Sequence, residues 1–255
     1  MHVLSKDDYV RYSRQLLVAE MDDVKQQALS HAEVVIVGLG GLGCAVAPYL
    51  AGAGVGRLRL VDGDEVELSN LPRQPLYGEQ DIGEAKARVA SLRLRDINRT
   101  LSVQCYATGL VESNAKSLLS GASVVLDCTD NVASRQLINQ VCYQLGIPLI
   151  SGAASGIKGQ LLMLDPHQAH GCYRCLYAPE QSEPNTCLAQ GILGPVVGIV
   201  GMMQALHTLL FITSIAPLNW GELRLFDGFS GQWQALKLPP LEGCPVCGEH
   251  NANYS

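Results

Sequence analysis

The hydrophobic pattern over the first 150 residues alternates short apolar runs with segments of helical periodicity. Apolar runs predict strands at 34–38, 57–61, 101–107, 123–127 and 148–151. The segments between them predict helices at 42–54, 84–97, 111–119 and 131–145. Such alternation is typical of a parallel sheet whose strands are joined by right-handed helical crossovers. The first thirty residues also have a helical pattern.

Beyond residue 152 the rhythm changes to shorter apolar stretches. GQLLMLD, ELRLFDG and QWQALKL read as strands that pair antiparallel. A chain of 255 residues can form one domain with a substantial core. The pattern therefore predicts an α/β fold, a Rossmann-like, mainly parallel sheet with helices on both faces that antiparallel strands continue. We expect a single domain over 1–255, divided into N-terminal helices (1–30), a first half (31–152) and a second half (153–255).

One long segment near the end of the chain is uncharged. It runs from Gly191 to Gly221 without Asp, Glu, Lys or Arg, and it is long enough to be considered for a membrane span. Pro195, Gln204 and His207 interrupt it, and no basic flank would orient it in a bilayer. We therefore expect a buried helix, inside the domain or at a subunit interface, and no membrane span.

A glycine-rich loop follows the first predicted strand. Gly38, Gly40 and Gly43 form the pattern G-x-G-x-x-G between a strand and a helix, and Asp62 ends the next strand. Backbone N–H groups at Gly40 and Gly41 can approach a phosphate at a helix N-terminus, and an acidic residue placed like Asp62 can accept from ribose hydroxyls. The pattern predicts a nucleotide site, which could hold NAD or another nucleotide; the alternative is a merely tight turn.

A polar loop after Asp62 supplies Asn70, Arg73 and Gln74, and Lys86 stands near the start of the next helix. Arginine can bind phosphate oxygens with two parallel donors, and lysine supplies a point charge. Two cations beside a nucleotide suit a triphosphate better than a dinucleotide. Spacing alone leaves open that Arg73 and Lys86 are ordinary solvated charges.

Asp130 and Asn131 follow the predicted strand 123–127 and open a helix. This edge of an open α/β sheet is where ligands bind. Asp130 is therefore a candidate for holding Mg²⁺ that bridges phosphates, or alternatively it only caps the helix.

The chain has nine cysteines, and its N-terminus, MHVLSKDDYVRYSRQLL, lacks the pattern of a secretory signal. We expect a cytoplasmic protein, in which disulfides are rare. Cys172 with Cys175 and Cys244 with Cys247 form two Cys-x-x-Cys turns, whose four thiolates can close a tetrahedral, structural Zn²⁺ site. Cys187 stands apart in the polar loop EQSEPNTCLAQG, where an accessible thiol can react.

The charge distribution argues against a nucleic-acid surface. The formal net charge is −6, and the lysines and arginines are scattered rather than massed. Any phosphate must therefore be bound by a few placed cations.

Together, RYSRQLL, GLGGLG, LVDGDEVELSNLPRQ, VVLDCTDN and the paired GC-x-x-C turns resemble the ThiF/MoeB family of bacterial adenylating enzymes, relatives of the ubiquitin-activating enzymes. GCYRCL, the Cys187 loop running into GPVVG, and ELRLFDG look most like the ThiF-type members. The resemblance implies ATP- and Mg²⁺-dependent adenylation of the C-terminal glycine carboxylate of a ubiquitin-like sulfur carrier ending in Gly-Gly. It also implies release of pyrophosphate and a place in thiamine (thiazole) biosynthesis.

The resemblance also implies residue roles. The nucleotide would meet Gly41, Asp62, Asn70, Arg73 and Lys86. Asp130 matches a magnesium-linked aspartate, and Arg14 matches an arginine that reaches into the partner subunit's site, which implies a homodimer. Cys187 matches a thiol that joins the carrier during sulfur transfer, so a sulfurtransferase or persulfide donor is a possible partner. The tetracysteine zinc, in the carrier-binding second half, is implied as well.

Three alternatives remain open from the sequence. The same chemistry can act on the molybdopterin-synthase small subunit or on a carrier of a peptide-modifying pathway. The glycine loop alone would also suit an NAD-dependent oxidoreductase, in which the cations and the cysteines would be incidental. Finally, the chain can be a non-catalytic nucleotide-binding scaffold.

Overall fold

One eight-stranded sheet runs through the computed structural model, which describes residues 4–177 and 191–248. Its strands are β1 (Glu33–Val37), β2 (Arg57–Val61), β3 (Ser102–Tyr106), β4 (Val124–Asp127), β5 (Leu149–Ser155), β6 (Lys158–Leu164), β7 (Glu222–Asp227) and β8 (Gln232–Lys237). Their order across the sheet is β3-β2-β1-β4-β5-β6-β7-β8. Strands β1 to β5 pair in parallel, and β6 to β8 continue the sheet antiparallel. The predicted α/β fold is confirmed.

Helices cover both faces of the sheet. They are α1 (Lys6–Arg11), α2 (Asp23–His31), α3 (Gly41–Ala53), α4 (Lys86–Ile97), α5 (Glu112–Leu119), α6 (Val132–Leu145), α7 (Tyr173–Leu176) and α8 (Gly194–Thr213). Val34 and Ile36 of β1 belong to one apolar cluster, which includes residues of α3, α4 and α8. Val35 and Val37 belong to a second cluster with residues of α5 and α6. Because side chains alternate along a strand, a strand buried on both faces reads as the continuous apolar run seen in β1.

The strand order places a ligand site between β1 and β4. The chain builds β1, β2 and β3 in one direction and then returns to add β4 on the other side of β1. Such a reversal opens a crevice beyond the carboxyl ends of the two strands. The glycine loop after β1 and the Asp130 loop after β4 both lie there.

The N-terminal segment forms α1 and α2, and residues 12–20 between them form turns where the sequence has a helical pattern. The buried Tyr12 hydroxyl accepts a hydrogen bond from Asn98 Nδ2 (3.2 Å). Gln15 Nε2 donates to Gln26 Oε1 (2.7 Å) and to the Ala53 carbonyl (3.2 Å). These tertiary contacts outweigh the local helical pattern, since propensity is a weak preference.

Helix α8 is long and apolar enough to cross a membrane by length and composition. However, 50% of its most apolar 18-residue stretch is buried inside this structure. It packs against α3, β5 and β6. Its fully buried Gln204 donates from Nε2 to the carbonyl oxygens of Asp127 (2.9 Å) and Ile150 (3.1 Å). The helix therefore packs as a core helix does, as predicted.

Candidate active site

A cleft of about 720 Å³ opens at the carboxyl ends of β1, β2 and β4, which is within the usual size range of ligand pockets. Every residue that the sequence suggests for nucleotide binding lines it. These residues are Gly38, Gly40, Gly41, Asp62, Asn70, Arg73, Gln74, Lys86, Asp130 and Asn131. These residues come from five segments of the chain that only the fold brings together.

The glycine loop packs against the segment after β4 and against α3 more closely than a side chain would allow. Gly38 has a φ of +92°, and a Cβ there would lie 2.7 Å from the Cys128 carbonyl oxygen. A Cβ at Gly43 would lie 2.1 Å from the Gly38 carbonyl oxygen. Gly40 precedes α3, and no side chain of the described residues caps this helix. The N–H groups and the positive dipole end of α3 are thus available to an anion in the cleft.

Asp62 is held rigidly on the cleft wall. Its Oδ2 accepts from the backbone N–H of Leu39 (2.6 Å), and its Oδ1 accepts from that of Asp64 (2.8 Å). Burial raises the pKa of Asp62 above its ordinary value, and these two donors and the charge of Lys86 offset part of the rise. The carboxyl group is therefore fixed in one orientation, with lone pairs left over for a ligand's hydroxyl groups.

The two candidate cations differ in setting. Lys86 is only 5% exposed, and its Nζ lies 3.0 Å from Asp64 Oδ2, so it is not a solvated surface charge. Arg73 is half-buried, and its Nη1 donates to the Ser69 carbonyl oxygen (2.9 Å). Both side chains line the cleft. A ligand in the cleft can therefore contact the fixed ammonium charge of Lys86 and the guanidinium of Arg73, which has further N–H donors available.

Gln74 has a buried side-chain oxygen that lacks a hydrogen-bond donor within the described residues. The residue is 3% exposed, and its Oε1 has no hydrogen-bond partner among the described residues. Leaving a buried acceptor unpaired costs about 1–3 kcal/mol. Its amide lies beside the glycine loop, since a Cβ at Gly40 would be 3.6 Å from Gln74 Nε2. A bound ligand with a donor would relieve that cost, so the site fits an occupant.

Asp130 is not the cap of the following helix. Asn131 caps α6, because its Oδ1 accepts from the backbone N–H of Ser134 (2.8 Å). Within the described part of the chain, the exposed Asp130 carboxylate accepts a single long hydrogen bond, from Asn131 Nδ2 (3.5 Å). The capping alternative therefore applies to Asn131, and an anionic group is available for a cation at the cleft.

The four cysteines of the two Cys-x-x-Cys turns converge. Their Sγ atoms all lie within 4.8 Å of one another, with 3.8 Å between Cys172 and Cys244 and 3.5 Å between Cys175 and Cys247. A tetrahedral ion with bonds of about 2.3 Å to sulfur separates its ligands by about 3.8 Å. These thiols form no disulfide. The donor set and spacing fit a Zn²⁺ ion bound by four thiolates.

The family follows from comparison with known proteins. The ThiF family matches residues 12–246. The chain belongs to this family. Sulfur carrier protein ThiS adenylyltransferase of Escherichia coli (strain K12) is 46% identical over 96% of this chain and 98% of that protein. Molybdopterin-synthase adenylyltransferase of Salmonella typhimurium is 39% identical over 98% of this chain and all (100%) of that protein.

Two further matches are a longer relative and a solved structure. Adenylyltransferase and sulfurtransferase MOCS3 of Mus musculus is 44% identical over 96% of this chain, which spans 54% of that protein. Escherichia coli MccB, solved with ATP, superposes with a TM-score of 0.81 over 93% of this chain and 74% of its own, at 24% identity. At that identity the structural match supports the fold alone.

The ThiF family resemblance also singled out Arg14 and Cys187. Arg14 is exposed in the turn segment 12–20 and does not line the cleft of its own chain. Cys187 lies outside the described residues. For both of them the role suggested by the resemblance stays a prediction.

Arg135 also lines the cleft, although the sequence analysis did not predict it. It is 8% exposed and donates from Nη2 to the Thr129 carbonyl oxygen (2.6 Å). Nearby, the buried Asp127 carboxylate accepts from the Thr129 N–H (3.0 Å) and from Ser151 Oγ (2.7 Å). These bonds fix the loop between β4 and α6. The position of Arg135 in the first turn after Asp130-Asn131 is the one sequence signal that could have indicated it.

Proposed function

We propose that the chain adenylates the C-terminal glycine carboxylate of a ThiS-like sulfur carrier with ATP, for sulfur transfer in thiamine (thiazole) biosynthesis. The relative named ThiS adenylyltransferase supports this, since 46% identity extends over 98% of its length. The observation that carries the chemistry is the cleft, where Lys86, Arg73 and Asp130 surround the end of an uncapped glycine-led helix.

Adenylation requires the carrier carboxylate and ATP to be aligned, and it requires no general base. The terminal carboxylate is already ionised at neutral pH, so no proton has to be removed from it. One of its oxygens forms a bond to the α-phosphorus of ATP while the bond from that phosphorus to the pyrophosphate oxygen breaks. The products are the carrier acyl-adenylate and pyrophosphate. The chain must hold both reactants in line and neutralise phosphate charge, which positioned donors and cations do.

We assign the cleft residues to these tasks by their settings. The α3 N-terminus, with Gly40 and Gly41, faces a phosphate, and Asp62 accepts from the ribose. Arg73 and the buried Lys86 stabilise the negative charge on the phosphates, with Asn70 and Gln74 as polar neighbours. Asp130 would hold Mg²⁺, an ion that neutralises phosphate charge and prefers carboxylate oxygen.

The tetracysteine cluster is proposed as a structural zinc site. Four thiolates fill a tetrahedral shell, which leaves no position for a substrate. The bound ion would join the loop around α7 to the segment after β8, a part of the chain with little regular structure, and would stabilise it.

We also propose a cytoplasmic homodimer in which Arg14 reaches the partner's cleft. Leu17 (75% exposed) and Val24 (66%) lie close to Arg14 in sequence and expose apolar surface. Exposed apolar side chains grouped in one region are typical of an association surface. The sulfur donor is proposed to be a sulfurtransferase or persulfide carrier.

A second candidate keeps the chemistry and changes the carrier to the molybdopterin-synthase small subunit. It is favoured by the full-length match to a molybdopterin-synthase adenylyltransferase. An NAD-dependent oxidoreductase is disfavoured by ThiF family membership and by the buried cation beside the glycine loop.

Pyrophosphate exchange tests the proposal. Purified protein is mixed with ATP, Mg²⁺, labelled pyrophosphate and either a ThiS-like or a molybdopterin-type carrier. We expect label to return to ATP with the ThiS-like carrier and much less with the other. Equal or reversed rates would reassign the carrier, and no exchange with any Gly-Gly carrier would leave the scaffold or the oxidoreductase.

Replacing Cys187 by serine should separate the two stages of sulfur transfer. We expect unchanged pyrophosphate exchange, because adenylation uses the cleft, and loss of sulfur transfer to the carrier, because the thiol is gone. Mass spectrometry of the carrier's terminal thiocarboxylate measures the second stage. Cys105→Ser, at an exposed cysteine of β3, is the matched control. Loss of exchange in Cys187→Ser alone would contradict this division.

A further inference from the structure

Two buried polar residues lie on one face of α6, between the cleft and the cysteine cluster. Arg135 and Asn139 are four residues apart, one helical turn, and are 8% and 0% exposed. Buried polar groups are costly unless they are hydrogen-bonded, so each should have specific partners.

Arg135 contacts the cleft and α7 at the same time. Its Nη2 donates to the carbonyl oxygen of Thr129, the residue before Asp130 (2.6 Å). Arg135 and Tyr173 also line one small cavity on this side of α6. Arg135 therefore borders α7, and Tyr173 stands between the cysteines of the first Cys-x-x-Cys turn.

Asn139 contacts the cysteine turn from the next turn of α6. Its Oδ1 accepts from the backbone N–H of Tyr173 (3.0 Å). Its Nδ2 is buried and has no hydrogen-bond partner among the described residues. A buried amide that holds the backbone of the first Cys-x-x-Cys turn is the arrangement expected of a group that orients metal ligands from outside the coordination shell.

These contacts connect the cysteine turn to the cleft through α6. Asn139 accepts from the Tyr173 backbone in the first Cys-x-x-Cys turn, Tyr173 and Arg135 line one cavity, and Arg135 donates to the loop that carries Asp130. In a low-dielectric interior such bonds are strong, and the loss of one leaves its partners unpaired. Arg135 and Asn139 lie on one regular helix, so a displacement of α6 at Asn139 also displaces Arg135.

We propose that Arg135 and Asn139 are positioning residues that connect the cysteine cluster to the Asp130 loop, so that metal binding at the cluster fixes the phosphate side of the cleft. This inference rests on the zinc site and the MgATP cleft of the proposed function. It goes beyond them because it makes the metal a determinant of cleft geometry as well as of stability.

Cobalt tests the cluster end of the connection. Co²⁺ bound by four thiolates gives a thiolate-to-metal charge-transfer band and the ligand-field bands of a tetrahedral site, which report coordination without any turnover. We expect Asn139→Leu to bind Co²⁺ about tenfold to a hundredfold more weakly than the unaltered chain. Gln140→Ala, at the exposed neighbour on α6, should match the unaltered chain.

Hydrogen exchange tests the cleft end. We expect amides 129–131 to exchange about tenfold faster in chelator-treated protein than in Co²⁺-loaded protein, while the amides of β1 stay protected. Arg135→Gln should exchange fast at this loop with or without metal, and its cobalt spectrum should be unchanged. Its KM for MgATP should rise about tenfold, whereas kcat should change less. Arg135→Lys, which keeps the charge, replaces Arg135→Gln if that variant does not fold.

The outcomes distinguish the link from the site it rests on. If the unaltered chain binds no Co²⁺, the zinc proposal fails, and the link fails with it. If Co²⁺ binds but amides 129–131 exchange at the same rate in loaded and stripped protein, the zinc site stands and the link is wrong. Loss of protection throughout β1 to β3 on stripping would show general unfolding and would also overturn the link.

Discussion

Asp130→Asn should reduce carrier-dependent pyrophosphate exchange by at least about a hundredfold. Asp130 lines the cleft without capping α6, so its charge is available for Mg²⁺. Asparagine keeps the shape and removes the anionic oxygen that this ion prefers. The exchange rate is measured over a range of Mg²⁺ concentrations, and the urea midpoint should stay unchanged because the residue is exposed.

Asp96→Asn is the matched control for this prediction. Asp96 is an exposed aspartate near the end of α4 and does not line the cleft. It should exchange pyrophosphate at the unaltered rate. If the two variants behave alike, Asp130 has no part in binding magnesium, and the phosphate side of the cleft must be reassigned.

Cys247→Ser should abolish the proposed zinc binding and lower the free energy of unfolding by about 4 kcal/mol or more. Cys247 is fully buried, and its sulfur lies 3.5 Å from that of Cys175. Three remaining thiolates cannot close the shell, and the binding energy of a structural zinc contributes directly to folding. Zinc content per chain and the urea midpoint measure the two effects.

Cys105→Ser controls for the loss of a thiol as such, because Cys105 is exposed on β3 and away from the cluster. Treatment of the unaltered chain with a strong chelator should reproduce the instability of Cys247→Ser. Equal stability and equal zinc content in Cys247→Ser and Cys105→Ser would show that the four cysteines do not form a structural zinc site.

The cleft could be predicted from sequence because its parts are local signals. Gly38, Asp62 and Asp130 each follow a recognisable apolar strand, and the carboxyl ends of parallel strands meet at one edge of a sheet. The two Cys-x-x-Cys turns are equally local. The order of the strands in the sheet brings the parts of the cleft together in space. The alternation of strands and helices in the sequence already restricts that order.

The connection through α6 could not be predicted in the same way. Arg135 and Asn139 are polar positions in an amphipathic helix, and such positions usually face solvent. They are buried because the α7 segment, distant in sequence, covers that face of the helix. The turns over residues 12–20 have a similar cause, since the partners of Tyr12 and Gln15 lie on other elements.

Gln204 sets the position of α8 against the sheet. It is a fully buried amide in the middle of a helix that carries no charged side chain, and it donates to carbonyl groups of the two neighbouring strands β4 and β5. Apolar contacts are non-directional, so such a helix could rotate or slip by a residue at little cost. The two directional hydrogen bonds of this single amide therefore fix the rotation and the axial position of α8 on the sheet.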